Sequence, residues 1–235
     1  MKLKCIIFDV DGTMADTERD GHRVAFNLAF AENGLDWHWD ENLYGQLLKV
    51  TGGKERMKFY QQSFLNQNIL SSTEIKQMHA CKTKHYIRLL ETGKIPLRTG
   101  VKDLIAQAQE QKIRLAISTT TTPINVTTLL KNTLGSESET IFDVIAAGDV
   151  VANKKPAPDI YYYALIKLGL KPQHCIAIED SHAGLVSATA AGIKTIVTTN
   201  KYTEKQDFSA AEKIYPDFEQ INTQSLNQLI GENHV

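Results

Sequence analysis

The chain has 235 residues, 42% apolar and 23% charged, with Lys+Arg 26 against Asp+Glu 27 and a net charge of −1. That length suits one large domain or two modest ones with a real core, and the balanced charge offers no basic field for nucleic acid or an anionic membrane. No apolar run nears the ~18 residues of a membrane span, and no signal-peptide pattern opens the chain, so neither is expected. Cys5, Cys81 and Cys175 are odd in number, scattered and without a CxxC pair, which argues against a disulfide framework or a zinc site and for a reducing cytosol.

In chain order, Leu3 to Phe8 is an apolar run broken only by Lys4, which suits a strand buried on both faces. Asp9 and Asp11 follow at i and i+2, so on an extended strand they share one side and address a common point at its C-terminal end. The alternative is a strand ending in an ordinary Asp-Gly turn. Helical spacing then takes over: from Asp20 to Asn33 with Gly34 as a stop, from Asp40 to Leu48, and from Lys54 to about residue 65 after Gly52-Gly53. Ser71 and Glu74 form a capping box ahead of a long helix that ends at Gly93 and Pro96. Nothing between 16 and 95 has strand character, so this stretch is expected to be an all-helical insert, with 1–15 and 96–235 forming the other domain.

From Val101 onward helices and strands alternate. Strands are predicted at Ile113–Ser118, Val144–Ala147, Cys175–Ile178 and Thr195–Thr198, and Pro123 opens a helix at its favoured first position. Strands separated by helices imply an α/β fold with a parallel sheet and right-handed crossovers, whose ligands bind beyond the C-terminal strand ends.

Four of those ends carry polar residues. Besides Asp9 and Asp11 there is the run Ser118 to Thr122 before the Pro123 helix, where hydroxyls and free amides suit an anion and where Thr122 is also a good helix cap. Lys154-Lys155 precedes Pro156-Ala157-Pro158-Asp159, and Glu179-Asp180 follows Ile178. Taken together these are carboxylates, a hydroxyl and an ammonium. The oxygen donors favour Mg2+, and Mg2+ with a hydroxyl and a lysine suits a phosphate. Asp9 is then the candidate nucleophile, because a carboxylate can form an acyl-phosphate, and Asp11 the candidate acid and base.

Phe8-Asp9-Val10-Asp11-Gly12-Thr13, Thr119, Lys155-Pro156-Ala157-Pro158-Asp159 and Glu179-Asp180-Ser181 resemble, in order, the four motifs of the haloacid dehalogenase superfamily. The resemblance implies a Rossmann-like core with a helical cap inserted after the first strand. The stretches at 17–23, 51–56 and 142–149 are further similar to CbbY-type sugar-phosphate phosphatases, members of which remove the C1 phosphate of xylulose-1,5-bisphosphate. Carried over by position, the resemblance makes Asp9 the nucleophile, Asp11 the general acid/base, Thr119 a phosphoryl-oxygen ligand and Lys155, not Lys154, the charge-steadying lysine. It places Mg2+ on Asp9, the Asp11 backbone carbonyl and Asp180, with Glu179 either on the ion or one step behind its ligands. Thr120 stands where many relatives have Asn or Ser and is assigned to substrate contacts.

In the insert, Lys54 and Arg56 beside two glycines suit a second phosphate, and Glu18 and His22 are further candidates for substrate binding. A solvated charged face and a structural histidine are the competing readings. The expected protein is a cytoplasmic, monomeric, Mg2+-dependent sugar-bisphosphate phosphatase working through an aspartyl-phosphate on a small phosphosugar. A β-phosphoglucomutase-like isomerase and a non-catalytic phosphosugar-binding regulator are the alternatives.

Overall fold

The computed structural model describes residues 2–67 and 69–231; residues 1, 68 and 232–235, which fall inside the expected domain limits, lie outside the described residues. The chain divides into two compact units, Met1–Asp16 with Pro96–Val235, and Thr17–Ile95.

The first unit is α/β and Rossmann-like. Six strands, β1 (Cys5–Phe8), β2 (Arg114–Thr119), β3 (Val144–Ala147), β4 (Cys175–Glu179), β5 (Lys194–Thr198) and β6 (Lys213–Tyr215), form one sheet in the order β3-β2-β1-β4-β5-β6. Every pairing is parallel, as the helix–strand alternation predicts. The central strand β1 is buried along its whole length because its apolar run faces helices on both sides. On one face Cys5 and Ile7 pack with Ile160, Ala164 and Leu168, which belong to the helix Asp159–Leu168. Strand β6 is absent from the sequence-based expectation: it has three residues, two of them exposed, and so lacks an apolar signature.

The Pro123–Leu134 helix starts at its proline as predicted, but Thr122 does not cap it through its side chain. The Thr122 hydroxyl is buried without a hydrogen-bond partner, and the Asn125 amide instead donates to Thr121 Oγ1 at 2.9 Å. The remaining helices of this unit are Val101–Glu110, His182–Ala190 and Thr223–Gly231.

The second unit is helical among its described residues. A π-helical turn, Glu18–His22, leads into α1 (Arg23–Glu32), followed by α2 (Glu41–Leu47), α3 (Gly53–Ser63) and α4 (Ser72–Glu91). Asp40 caps α2 by accepting from the Leu43 amide at 2.7 Å, and Ser71 and Glu74 complete the expected capping box on α4. Helix α1 lies along α4; its Phe30 meets Trp37 and Trp39 edge to face, as Tyr60 does the same two rings, and its Phe26 lies tilted against Trp39. No described helix of either unit is long and apolar enough to cross a membrane.

Candidate active site

Parallel pairing brings the C-terminal ends of β1, β2 and β4 to one edge of the sheet, and the polar residues predicted there meet. Strand β1 stops at Phe8, so Asp9 and Asp11 are not two residues of one extended strand as their spacing suggests. Asp9 keeps its register through its amide, which donates to Ile178 O at 3.0 Å. Beyond it the chain folds back, with the amides of Thr13, Met14 and Ala15 all directed at Val10 O. Asp11 therefore sits on a tight turn, half-buried, while Asp9 is buried.

Gly12 makes that turn feasible with φ of 85°. A side chain there would be strained and would also collide, since a Cβ would lie 2.3 Å from Asp180 Oδ2. Arg98 pins the same turn: its guanidinium donates to Gly12 O at 2.7 Å and to the carbonyls of Thr199 and Pro216 at 2.6 and 2.7 Å.

Lys155 is the cation of the site. Its ammonium, 5% exposed, donates to Asp9 Oδ1 at 2.6 Å, to Glu179 Oε1 at 2.6 Å and to Ser118 O at 2.9 Å. Burial by itself would pull the Lys155 ammonium down, but the charges of Asp9 and Glu179 more than offset this and hold its pKa above the ordinary lysine value. Burial pushes the Asp9 carboxyl up to about 7; Lys155 opposes that shift, and the Glu179 and Asp11 carboxylates add to it. Lys154 points elsewhere and pairs with Asp149 at 3.3 Å. Spacing cannot separate these adjacent lysines; the fold does, by burying one between two carboxylates.

Glu179 is fully buried, and its Oε1 accepts from both Lys155 and the Tyr161 hydroxyl. Burial and then the neighbouring Glu179 charge hold the Tyr161 phenol well above its ordinary pKa, so it stays a donor. The other oxygen, Oε2, is buried without a hydrogen-bond partner and lies where a Cβ on residue 184 would be, at 1.9 Å. Gly184 is thus required by the glutamate. Asp180 Oδ2 accepts from Asn200 Nδ2 at 2.7 Å, and Oδ1 accepts from Thr13 Oγ1 at 3.4 Å. Thr119 is buried at the end of β2, with its Oγ1 accepting from the Thr121 amide at 3.4 Å, and Thr120 next to it is half-buried.

Side-chain oxygens of Asp9, Glu179 and Asp180 all lie within 4.8 Å of one another. A hard divalent cation fits this all-oxygen set, and the unpaired Glu179 oxygen buried beside it is the kind of group a cation would satisfy. Sequence reasoning missed Tyr161, Gly184, Asn200 and Arg98. Tyr161 lies two residues past Asp159 in its motif, but nothing in its local pattern announces a glutamate partner.

In the helical unit the predicted residues have internal partners. His22 is buried, its ring 3.9 Å from that of Tyr86, and its Nδ1 lies 2.6 Å from the Lys82 ammonium. Arg56 is buried too; it donates to the Tyr44 hydroxyl at 2.8 Å, and that hydroxyl donates to Glu18 at 2.5 Å. Lys54 and Arg56, alike in sequence, therefore differ in setting: Lys54 is half-buried in the first turn of α3 and Arg56 is part of a buried polar chain.

A carboxylate on a glycine turn beside β1, facing a buried lysine and a second carboxylate pair, defines a hydrolase core of one type. The family model of haloacid dehalogenase-like hydrolases matches residues 6–198. The chain belongs to that family and, within it, to the CbbY-type phosphatases, hydrolases of phosphoric monoesters. It is 48% identical over 229 residues to protein CbbY of Rhodobacter capsulatus, covering 97% of this chain and 100% of the relative. The crystal structure of CbbY from Rhodobacter sphaeroides in complex with phosphate is similar at 44% identity with a TM-score of 0.87, over 92% of this chain and 95% of the other. A mutant of the same protein in complex with xylulose-(1,5)bisphosphate is equally similar, at 44% identity, TM-score 0.87 and the same coverage of 92% and 95%.

Proposed function

We propose that the chain hydrolyses one phosphate of a sugar bisphosphate of the xylulose-1,5-bisphosphate type, with Mg2+ and through an aspartyl-phosphate on Asp9. The observation that carries the chemistry is the Lys155 ammonium, 2.6 Å from both Asp9 Oδ1 and Glu179 Oε1. It neutralises and orients a buried carboxylate that would otherwise hold a proton and be a poor nucleophile. The substrate class rests on the likeness to a relative that binds xylulose-(1,5)bisphosphate.

Asp9 attacks phosphorus, and the leaving sugar oxygen takes a proton from Asp11. Asp11 then removes a proton from the water that attacks the acyl-phosphate. Thr119 donates to a phosphoryl oxygen, and Lys155 offsets charge on the group in transfer. Asp9, the Asp11 carbonyl, Glu179 and Asp180 would hold Mg2+, which when bound would supply positive charge against the phosphoryl oxygens. Thr120, Glu18, His22, Lys54 and Arg56 are assigned to the substrate, with Lys54 and Arg56 on the phosphate that is not transferred.

A screen of inorganic phosphate release across sugar mono- and bisphosphates, with and without Mg2+, tests this reading. Preferred turnover of a pentulose bisphosphate, dependent on Mg2+, is expected. Conversion of β-glucose 1-phosphate with a glucose bisphosphate primer to glucose 6-phosphate, without phosphate release, would replace it by an isomerase.

A further inference from the structure

The helical unit holds a cluster that the phosphatase chemistry does not use. Glu32 ends α1, and Cys81 and His85 stand one turn apart on α4, so the fold places a carboxylate, a thiol and an imidazole on one face of the α1–α4 pair. His85 Nε2 is 2.8 Å from Glu32 Oε2, and Cys81 Sγ is 3.5 Å from Glu32 Oε1. One donor atom from each residue lies within 4.8 Å of the other two.

We propose that Glu32, Cys81 and His85 form a binding site for a borderline-soft transition-metal ion, Zn2+ in the first instance, that ties α1 to α4. The scattered cysteines argue against a zinc site when read as sequence, because Cys81 has no second cysteine near it. The fold supplies the missing donors from His85 and from a helix that ends 49 residues earlier in the chain.

The size fits. Zn–S of ~2.3 Å and Zn–N or Zn–O of ~2.0–2.2 Å in a tetrahedron put donors about 3.3–3.7 Å apart. The Cys81–Glu32 edge already has that length at 3.5 Å. The Glu32–His85 edge, now a hydrogen bond of 2.8 Å to the other carboxylate oxygen, needs to open, which the exposed Glu32 side chain can do by small torsional changes around a half-buried His85.

The chemistry separates this site from the carboxylate cluster of the other unit. A thiolate with an imidazole selects Zn2+, Co2+ or Ni2+ over Mg2+, whereas an all-oxygen set does the reverse. Burial and then the Glu32 carboxylate raise the Cys81 thiol, so without metal it holds its proton. Binding then replaces the S–H bond by an S–metal bond and releases that one proton to the buffer, with no change in oxidation state. The Asn33 amide, donating to Cys81 Sγ at 3.5 Å, would steady the thiolate. The Glu32 side chain is 59% exposed, which leaves an entry path and a fourth position for water.

The test uses the full-length chain, reduced, stripped with a chelator and then held in excess Mg2+ to occupy the oxygen site. Titration with Co2+ should give one equivalent showing a thiolate-to-cobalt band in the near ultraviolet. Competition with a chromophoric chelator should show one Zn2+ held on the order of micromolar or tighter. Loss of an outer-shell partner already costs about 10- to 100-fold, so Cys81→Ser and His85→Gln should each weaken Zn2+ by at least that much. Cys81→Ser should also remove the cobalt band, while Asp180→Asn should leave both signals. Absence of the band in the wild type, or Zn2+ retention unchanged in Cys81→Ser and His85→Gln, would overturn the proposal. Retention abolished only by Asp180→Asn would assign the ion to the carboxylate site and overturn it equally.

Discussion

Replacing Lys155 by Met tests the electrostatic design of the core most directly. Met keeps most of the volume of the stem and removes the ammonium, and with it two charge-assisted bonds of 2.6 Å and one to Ser118 O of 2.9 Å. Hydrogen bonds to charged groups contribute roughly 1.5–3 kcal/mol each, so losing the two carboxylate contacts removes about 3–6 kcal/mol of support for ionised Asp9 and Glu179. The cost to folding should approach the ~3–5 kcal/mol seen when one member of a buried ion pair is deleted.

The pH dependence gives the sign. Asp9 already sits near 7 because of burial, with Lys155 opposing that shift, so deleting Lys155 drives it higher. A carboxyl whose folded pKa is raised above its unfolded value costs stability above that folded pKa and is relieved as the pH falls through it. Urea unfolding without metal should therefore show a large loss at pH 8 that shrinks toward pH 5. With Mg2+ at pH 7, phosphate release should fall roughly 10²- to 10⁴-fold, from those same contact energies. A variant within tenfold of wild type in turnover, and with a stability loss independent of pH, would refute the argument.

The other predictions follow from single contacts. Asp9→Asn should stay folded and show no turnover, and intact-mass measurement should find no phosphorylated protein where brief substrate exposure of the wild type gives an acyl-phosphate. Gly184→Ala should displace Glu179, since the new Cβ would lie 1.9 Å from Oε2; an increased Mg2+ concentration for half-maximal activity is expected, and an unchanged one would count against Glu179 as a ligand. If Mg2+ is held by ionised Asp9, as proposed, its affinity measured by calorimetry should fall as the pH drops below about 7, with proton release on binding near that pH. Lys54→Ala should lower kcat/KM for bisphosphates roughly 10- to 100-fold and leave p-nitrophenyl phosphate nearly untouched. Arg56→Ala, which breaks the buried Tyr44–Glu18 chain, should in addition lower the melting temperature.

Much of the architecture follows from local rules that any reader of the sequence can apply. The Cβ direction alternates along a strand and recurs about every 3.6 residues on a helix, so apolar spacing marks β1, β2 and β4, while Pro123 marks the start of its helix and the Ser71–Glu74 pair the cap of α4. The order of the polar strand ends follows from the same reading, because a parallel sheet must carry them to one edge. The three-residue edge strand β6 has no such signature, and the π-helical turn at Glu18–His22 begins two residues before the helix that the spacing starts at Asp20.

What the side chains at those ends do to one another was decided only by tertiary structure. Lys155 meets Asp9 across 146 residues of chain and Glu179 across 24, while its neighbour Lys154 turns to Asp149. Tyr161, Gly184 and Asn200 support Glu179 and Asp180 from elements whose own patterns report only packing or turns. Arg56 has the look of a surface cation and is buried, because the neighbouring Tyr44 and Glu18 supply its partners. Periodicity records which face of an element is apolar, whereas the charge state and partner of a buried polar group depend on everything that surrounds it, and that is assembled by crossovers between distant segments.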